Sequence, residues 1–108
     1  HALETLGKSS RTPHKMLVEL SRHRDERIRA AVAANENAPR DLIITLLSDE
    51  KYDVCYNAVR NLIKQQDPPV DVMIERIHKM SPNTRSVIMN DLRNVNQLPD
   101  WLYAELIK

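Results

Sequence analysis

Apolar residues recur along the chain in short segments, at the three- and four-residue spacing of amphipathic helices. Polar turns separate the segments, and Thr12–Pro13 and Ser81–Pro82 each read as a helix cap followed by proline, whose missing N–H costs nothing at the first helical position. The pattern predicts seven helices, over residues 13–21, 25–34, 39–47, 49–64, 69–80, 82–92 and 99–107.

The apolar stripes of these segments define the expected core. Its members are Met16, Leu17, Leu20, Ile28, Ala31, Val32, Leu42, Ile43, Leu46, Leu47, Val54, Ala58, Val59, Leu62, Val72, Met73, Ile74, Ile77, Val87, Ile88 and Leu92. The last segment carries Leu102, Tyr103, Leu106 and Ile107. In the second segment, Arg27 and Arg29 are expected to face outward. In the fourth, Ser48 or Asp49 is expected to cap the helix.

The segments also repeat along the chain. A set of positions recurs 26 residues later: Pro13, Ile28, Val32 and Asn35 become Pro39, Val54, Ala58 and Asn61. A fixed period of this size predicts stacked helical units. The leading prolines at 13, 39, 69 and 99 are 26, 30 and 30 residues apart, which predicts longer second helices or loops in the later units.

The repeat divides the chain into expected units within a single domain, residues 1–108. The units are residues 1–12 (partial), 13–38, 39–68, 69–98 and 99–108 (partial). The chain therefore begins inside a repeat, and we expect it to be a fragment of a longer protein. Asn35 is interpreted as a structural residue that ends its helix, whereas the helix that holds Asn61 could continue beyond it.

The segment from Ile28 to Pro39 reads Val/Ile-Arg-x-x-Val-Ala-x-Asn-x-x-x-Pro and resembles the leucine-rich repeat variant family. The period is also similar to that of a short HEAT or armadillo-type unit, and the resemblance covers Leu6 to Leu62. It implies an all-α fold, a right-handed α-solenoid (α–α superhelix) of about three to four short helical-pair repeats. A member of the family carries an iron–sulfur domain, but that site needs a cysteine cluster and this chain has only Cys55.

Composition narrows the classes of fold and partner. Apolar residues make up 42% of the chain and aromatic residues 4%, so the core must be aliphatic, and a single glycine leaves little scope for tight β-hairpins. The net charge of +1 gives no overall attraction to nucleic acid or to a membrane surface. The single cysteine excludes an intrachain disulfide and favours a reducing, cytoplasmic location.

The residues that could act in catalysis or bind a metal form no recognisable pattern. The histidines lack the i, i+4 spacing of a zinc helix, and Gly7 alone cannot form a phosphate loop. Cys55 takes the place of Arg29 in the repeat and is expected to be a partly buried, inert thiol. We therefore expect no enzyme activity, no metal and no cofactor.

A basic patch is the candidate binding surface. It comprises Lys8, Arg11, Lys15, Arg22, His23, Arg24, Arg27, Arg29 and Arg60. Two aromatic residues of the last segment, Trp101 and Tyr103, are a possible end cap or interface, and capping is favoured.

Three functions remain open. The favoured one is a non-catalytic protein–protein interaction scaffold, with a partner of unknown identity. The first alternative is nucleic-acid backbone binding through the basic patch. The second is a regulatory or adaptor domain of a larger enzyme. No membrane partner is expected.

Overall fold

The computed structural model describes residues 2–94 and 99–106. Within these ranges the chain forms eight helices and no strand, which confirms the expected all-α class. The helices are α1 (Ala2–Lys8), α2 (His14–Leu20), α3 (Glu26–Ala33), α4 (Arg40–Leu46), α5 (Tyr52–Ile63), α6 (Val70–His78), α7 (Pro82–Asn94) and α8 (Asp100–Leu106). Only α1 was not predicted as a separate helix, although its residues were assigned to an earlier unit.

The leading prolines set where the first helix of each unit begins. Helices α2, α4, α6 and α8 each start one residue after such a proline. The carbonyl of each leading proline accepts a hydrogen bond from the N–H four residues later, at 2.9 to 3.2 Å. Proline therefore stands just before the helix, where its φ is suitable and no N–H is needed.

The helix caps predicted at Thr12 and Ser81 were partly correct. Ser81 caps α7, because its hydroxyl accepts a hydrogen bond from the Thr84 N–H at 3.2 Å. Thr12 does not cap α2: its hydroxyl donates to the carbonyl of Leu6 at 2.5 Å, so it ties the loop back to α1. Pro13 occupies the cap position instead.

The longer period of the later units has a clear structural origin. The second helices α3, α5 and α7 begin at residues 26, 52 and 82, each 13 residues after its leading proline. Helix α3 has 8 residues, whereas α5 has 12 and α7 has 13. The additional residues therefore extend the second helices at their C-terminal ends, as the spacing of the prolines predicted.

The second helices pack side by side in chain order. Helix α3 lies between α1 and α5, and α7 contacts α5. Gly7 permits the close approach of α1 to α3, because a Cβ atom at Gly7 would lie only 3.0 Å from the Cβ atom of Ala31. The radius of gyration is 13.3 Å, close to the roughly 13 Å of a compact chain of this length.

Two buried asparagine side chains join these helices with the same pair of hydrogen bonds. The Asn35 amide donates to the carbonyls of Gly7 and Ser9 at 2.7 and 2.9 Å. The Asn61 amide donates to the carbonyls of Ala33 and Asn35, both at 2.9 Å. Each asparagine therefore reaches the residues 28 and 26 positions earlier, and we call this arrangement the amide ladder. It is repeated at the 26-residue period of the sequence.

The two asparagines lie at different places relative to their helices. Asn35 follows α3 and its cap, Ala34, so the helix ends there as interpreted. Asn61 lies inside α5, which continues to Ile63. In the third unit, 30 residues later, the corresponding residue is Asp91, whose carboxylate accepts a hydrogen bond from the Tyr52 hydroxyl. A carboxylate has no N–H to donate, so the amide ladder does not extend to α7.

The predicted core is largely confirmed. Fully buried side chains include Leu17, Val32, Ile43, Val54, Ala58, Leu62, Met73, Ile77, Ile88, Leu92 and Leu102. Three predicted core residues are instead exposed, namely Met16, Val72 and Val87, and Tyr103 of the last segment is exposed as well. Each of them lies at the edge of an apolar stripe, next in sequence to a fully buried residue. Helical spacing alone does not show which of two such neighbours is buried. The side chains of Leu106 and Ile107 lie outside the described residues.

The amide ladder predicts the effect of Asn61→Asp. This nearly isosteric change removes both N–H donors and places a carboxylate against two carbonyl oxygens in a buried position. We expect it to lower the free energy of unfolding by about 3 kcal/mol or more. Urea unfolding followed by circular dichroism measures this. Asn90→Asp is the matched control, since Asn90 is exposed on α7, and it should change stability by less than about 0.5 kcal/mol. Equal effects of the two changes would contradict the prediction.

Candidate functional site

The nine residues of the predicted basic patch do not form one surface. Arg29 is largely buried between two units. Lys8, Arg27 and Arg60 line clefts on the face formed by α1, α3 and α5. The remaining residues, Arg11, Lys15, Arg22, His23 and Arg24, flank α2 at its two ends or lie on it.

Arg29 does not face outward, so the prediction of its orientation is wrong. It is a structural residue. Its guanidinium forms two hydrogen bonds with the Asp49 carboxylate, at 2.7 and 3.2 Å, and the side chains of Arg29 and Asp49 are only 13% and 11% exposed. A further N–H group donates to the carbonyls of His23 and Arg24, at 2.8 and 3.0 Å. The hydrogen bond with Asp49 is the main reason that the pKa of Arg29 is raised. Because Asp49 lies in the next unit, this Arg29 clamp joins the two units.

Asp49 fixes the loop before α5 and does not cap that helix. The carboxylate accepts a hydrogen bond from the Lys51 N–H at 2.9 Å, while α5 begins only at Tyr52. In the preceding unit, His23 occupies the same position and its Nδ1 accepts from the Asp25 N–H at 3.0 Å. The two loops are therefore held in the same way, with different side chains.

Cys55 occupies the position of Arg29 in the following unit and uses an equivalent acceptor. Its Sγ donates to the carbonyl of Asp49 at 2.7 Å, as Arg29 donates to the carbonyl of His23. The side chain is buried, and burial is the main cause that raises the pKa of the thiol to about 11. The thiol is therefore protonated at neutral pH, in agreement with the expected inert cysteine.

The exposed cations beside α2 have no ion-pair partner in residues 2–94 and 99–106. They are Arg11, Lys15, Arg22 and Arg24. By contrast, Arg27 is paired with Asp25 at 3.0 Å and Lys8 with Glu4 at 3.5 Å. The predicted patch thus reduces to four unpaired cations at one end of the chain.

A groove lies on the face formed by α1, α3 and α5, and we call it the inner groove. It is lined by Ala30 and Ala31 of α3 and by Ala34, the C-cap of that helix, and its volume is about 370 Å³. It continues at Ala34 into a smaller cleft of about 90 Å³. The residues that border these two cavities are Glu4, Lys8, Arg27, Glu36, Asp53, Tyr56, Asn57, Arg60, Asn61 and Lys64.

The repeat itself explains why the surface is concave here. Ala30 stands at the position occupied by Glu4 on α1 and by Tyr56 on α5, and Ala34 at the position of Lys8 and Arg60. Short side chains on the middle helix therefore lie between long side chains on both neighbours. This long–short–long pattern is present in the sequence, but it becomes visible only when equivalent positions of three units are compared.

Tyr56 is held firmly at the edge of the inner groove. Its ring stacks on that of Tyr52, with centroids 5.6 Å apart, and the Arg60 guanidinium carbon lies 5.5 Å from its centroid. Burial, followed by the hydrogen bond to Asp91, raises the pKa of Tyr52. Neither tyrosine was among the residues predicted from the sequence, although the four-residue spacing of Tyr52, Tyr56 and Arg60 places them on one helix face.

The two aromatic residues of α8 have different environments. Trp101 is partly buried and packs against the core, next to the fully buried Leu102. Tyr103 is 40% exposed, and the Arg93 guanidinium carbon lies 5.3 Å from its ring centroid. Trp101 therefore covers part of the core near this end of the chain, whereas Tyr103 lies on the surface.

No group of three or more His, Cys, Asp or Glu residues in the described part of the chain could hold a metal ion. None of the described helices has the length and apolar character needed to cross a membrane. Comparison with protein-family models, curated proteins and solved structures found no match to this chain.

The Arg29 clamp predicts strong coupling between Arg29 and Asp49. In a double-mutant cycle with Arg29→Ala and Asp49→Ala, we expect a coupling energy of roughly 1.5–3 kcal/mol, because the ion pair is bidentate and shielded from water. Urea unfolding of the four proteins measures it. The Asp25–Arg27 pair is the matched control: its side chains are 27% and 67% exposed, so the same cycle should give a much smaller coupling. Similar couplings for the two pairs would contradict the assignment.

Proposed function

We propose that this chain is a right-handed α-solenoid of short helical pairs and serves as a non-catalytic scaffold that binds another protein. The amide ladder supports the architecture, because Asn35 and Asn61 make the same bonds at the same 26-residue shift. Hydrogen bonds that recur with the sequence period are expected where equivalent units stack on one another in the same way. The single, buried Cys55 supports a cytoplasmic setting for such a scaffold.

The inner groove is the surface that we propose for the partner, and the long–short–long pattern across α1, α3 and α5 carries this proposal. Ala34 is exposed and borders both the groove and the smaller cleft. Larger side chains on the flanking helices enclose a partner segment from two sides, so both shape and side-chain contacts contribute to recognition. A fixed helical framework at the amide ladder lowers the conformational entropy lost on binding.

The chemistry of the groove favours a polypeptide over a polyanion. Its border carries both carboxylates, including Glu4 and Asp53, and cations, including Lys8 and Arg27. Tyr56 adds an aromatic surface whose position is already fixed by Tyr52 and Arg60. Aromatic and arginine side chains that are held in place before binding are typical of interface hot spots.

Ala34→Arg tests this surface, because a long side chain at Ala34 would fill the groove without entering the core. Affinity capture from a native lysate, followed by mass spectrometry and titration calorimetry with the captured protein, should show a partner that binds the unmodified chain. We expect Ala34→Arg to weaken that binding at least tenfold. Ala104→Arg is the matched control, since Ala104 is an exposed alanine on α8. A partner that binds all three proteins equally would refute the groove as the interface.

Nucleic-acid backbone binding is the second candidate function. The observation that favours it is the set of unpaired, exposed cations Arg11, Lys15, Arg22 and Arg24. Each contact of a cation with a phosphate releases counterions, which makes binding steeply dependent on salt. Within the original basic patch, however, Arg29 is enclosed by its clamp and Arg27 is paired with Asp25, so fewer cations are available than the sequence indicated.

A salt titration tests the second candidate. If all four cations contact duplex DNA, a plot of log K against log salt should have a slope of roughly −3 to −4. The double change Arg22→Ala and Arg24→Ala should reduce that slope by about half. The control double change Lys51→Ala and Lys79→Ala removes two exposed cations elsewhere and should leave the slope unchanged. Absence of binding at low salt would eliminate this function.

A further inference from the structure

One face of α1 is exposed at positions where the later second helices are fully buried. Leu6 is 39% exposed, whereas its equivalents in the next two units, Val32 and Ala58, are 0% exposed. Ala2 is also exposed, although its equivalents, Ile28 and Val54, are only 1% and 0% exposed. Both positions hold an apolar residue in all three helices.

The direction of this face follows from contacts made by the later helices. Val32 lies on the side of α3 that faces α1, since a Cβ atom at Gly7 would be 3.4 Å from its Cγ2 atom. Asn57, next to Ala58, lies on the side of α5 that faces α3, because its amide donates to the Ala30 carbonyl at 3.3 Å. The same helix phase turns Leu6 away from the contact between α1 and α3, in agreement with its exposure.

We propose that this face of α1, formed by Ala2 and Leu6, binds a further helical repeat unit of the same class as the units in this chain. The inference rests on the proposed solenoid architecture but does not depend on the inner groove. The second helix of the added unit would pack on α1 as α1 packs on α3, with a small residue such as Gly or Ala at the point of closest approach. The surface continues the existing interface between units and is apolar, so it fits a helix and not a charged ligand.

One feature sets this junction apart from the internal ones. Ser9 stands at the position of Asn35 and Asn61. Its Oγ accepts a hydrogen bond from the Arg11 N–H at 3.1 Å, as the Asn35 Oδ1 accepts from Asn37 at 2.8 Å, so the local turn is retained. Serine has no amide to reach a preceding unit. Apolar contact at Leu6 would therefore hold this junction without the two bonds of the amide ladder.

An N-terminal extension tests the proposal. The extension consists of a copy of residues 26–38 followed by a copy of residues 13–26, and it is placed directly before residue 1. Because residue 1 is equivalent to residue 27, the extension keeps the repeat in register. We expect the extended protein to unfold at a higher urea concentration and with a larger m-value, because additional apolar surface is buried. We also expect amide hydrogen exchange in α1 to slow at least tenfold. The control carries the same added residues in scrambled order and should exchange in α1 like the unextended chain.

Two substitutions identify the surface responsible. Leu6→Asp should leave unfolding of the unextended chain nearly unchanged and abolish the slower exchange in the extended one. Ser9→Asn should slow exchange in α1 further only in the extended chain, where its amide can donate to the carbonyls of the copied Ala33 and Asn35. Equal exchange in α1 with the ordered and scrambled extensions, including the case in which the extension stays unstructured, would overturn the proposal. Binding in the inner groove, measured with Ala34→Arg, would be unaffected by that outcome.

Discussion

The buried side-chain amides of Asn35 and Asn61 are the interaction on which the arrangement of the second helices depends. Each amide satisfies two backbone carbonyls near the end of the preceding helix, where carbonyls lack partners within the helix itself. The bonds are short and buried, so a shift of one helix along its neighbour would leave both donors and acceptors unpaired at a substantial cost. They therefore fix the relative position of α1, α3 and α5, while the apolar residues supply most of the burial energy without specifying a register.

The inner groove follows from that fixed register. Because equivalent positions on α1, α3 and α5 lie side by side, a short residue in one unit creates a depression between the longer residues of the adjacent units. Ala30 and Ala34 have this effect, and Gly7 allows the backbones to come close enough for the depression to be continuous. The Arg29 clamp acts on the loops in the same way, since it connects one unit to the loop of the next. Structural and candidate binding residues thus occupy different positions of the same repeat.

Much of the helical organisation could be predicted from the sequence, because proline and apolar spacing act locally. The positions of the leading prolines gave the helix starts, and Leu17, Val32 and Ile43 were correctly assigned to the core. The roles of Asn35 and Arg29 could not be read in the same way. An asparagine after a helix is explained equally well by a local cap and by a tertiary donor, and the partner of Arg29 lies 20 residues further along the chain. Prediction of the inner groove would require a comparison of equivalent positions across three units, because the spacing within one helix does not show it.

The two junctions on either side of residues 39–68 are held by different bonds. At the junction with residues 13–38, Arg29 forms its clamp and Asn61 its amide bonds. At the junction with residues 69–98, Cys55 replaces the arginine and Asp91 replaces the ladder asparagine. The directional bonds there include the Tyr52–Asp91 bond and a bond that the Arg76 guanidinium donates to the Ser48 hydroxyl at 2.6 Å. Directional bonds resist sliding, whereas apolar contacts tolerate it. We therefore expect the angle between α7 and α5 to change more readily than the packing of α1, α3 and α5. Such a change would leave the shape of the inner groove constant.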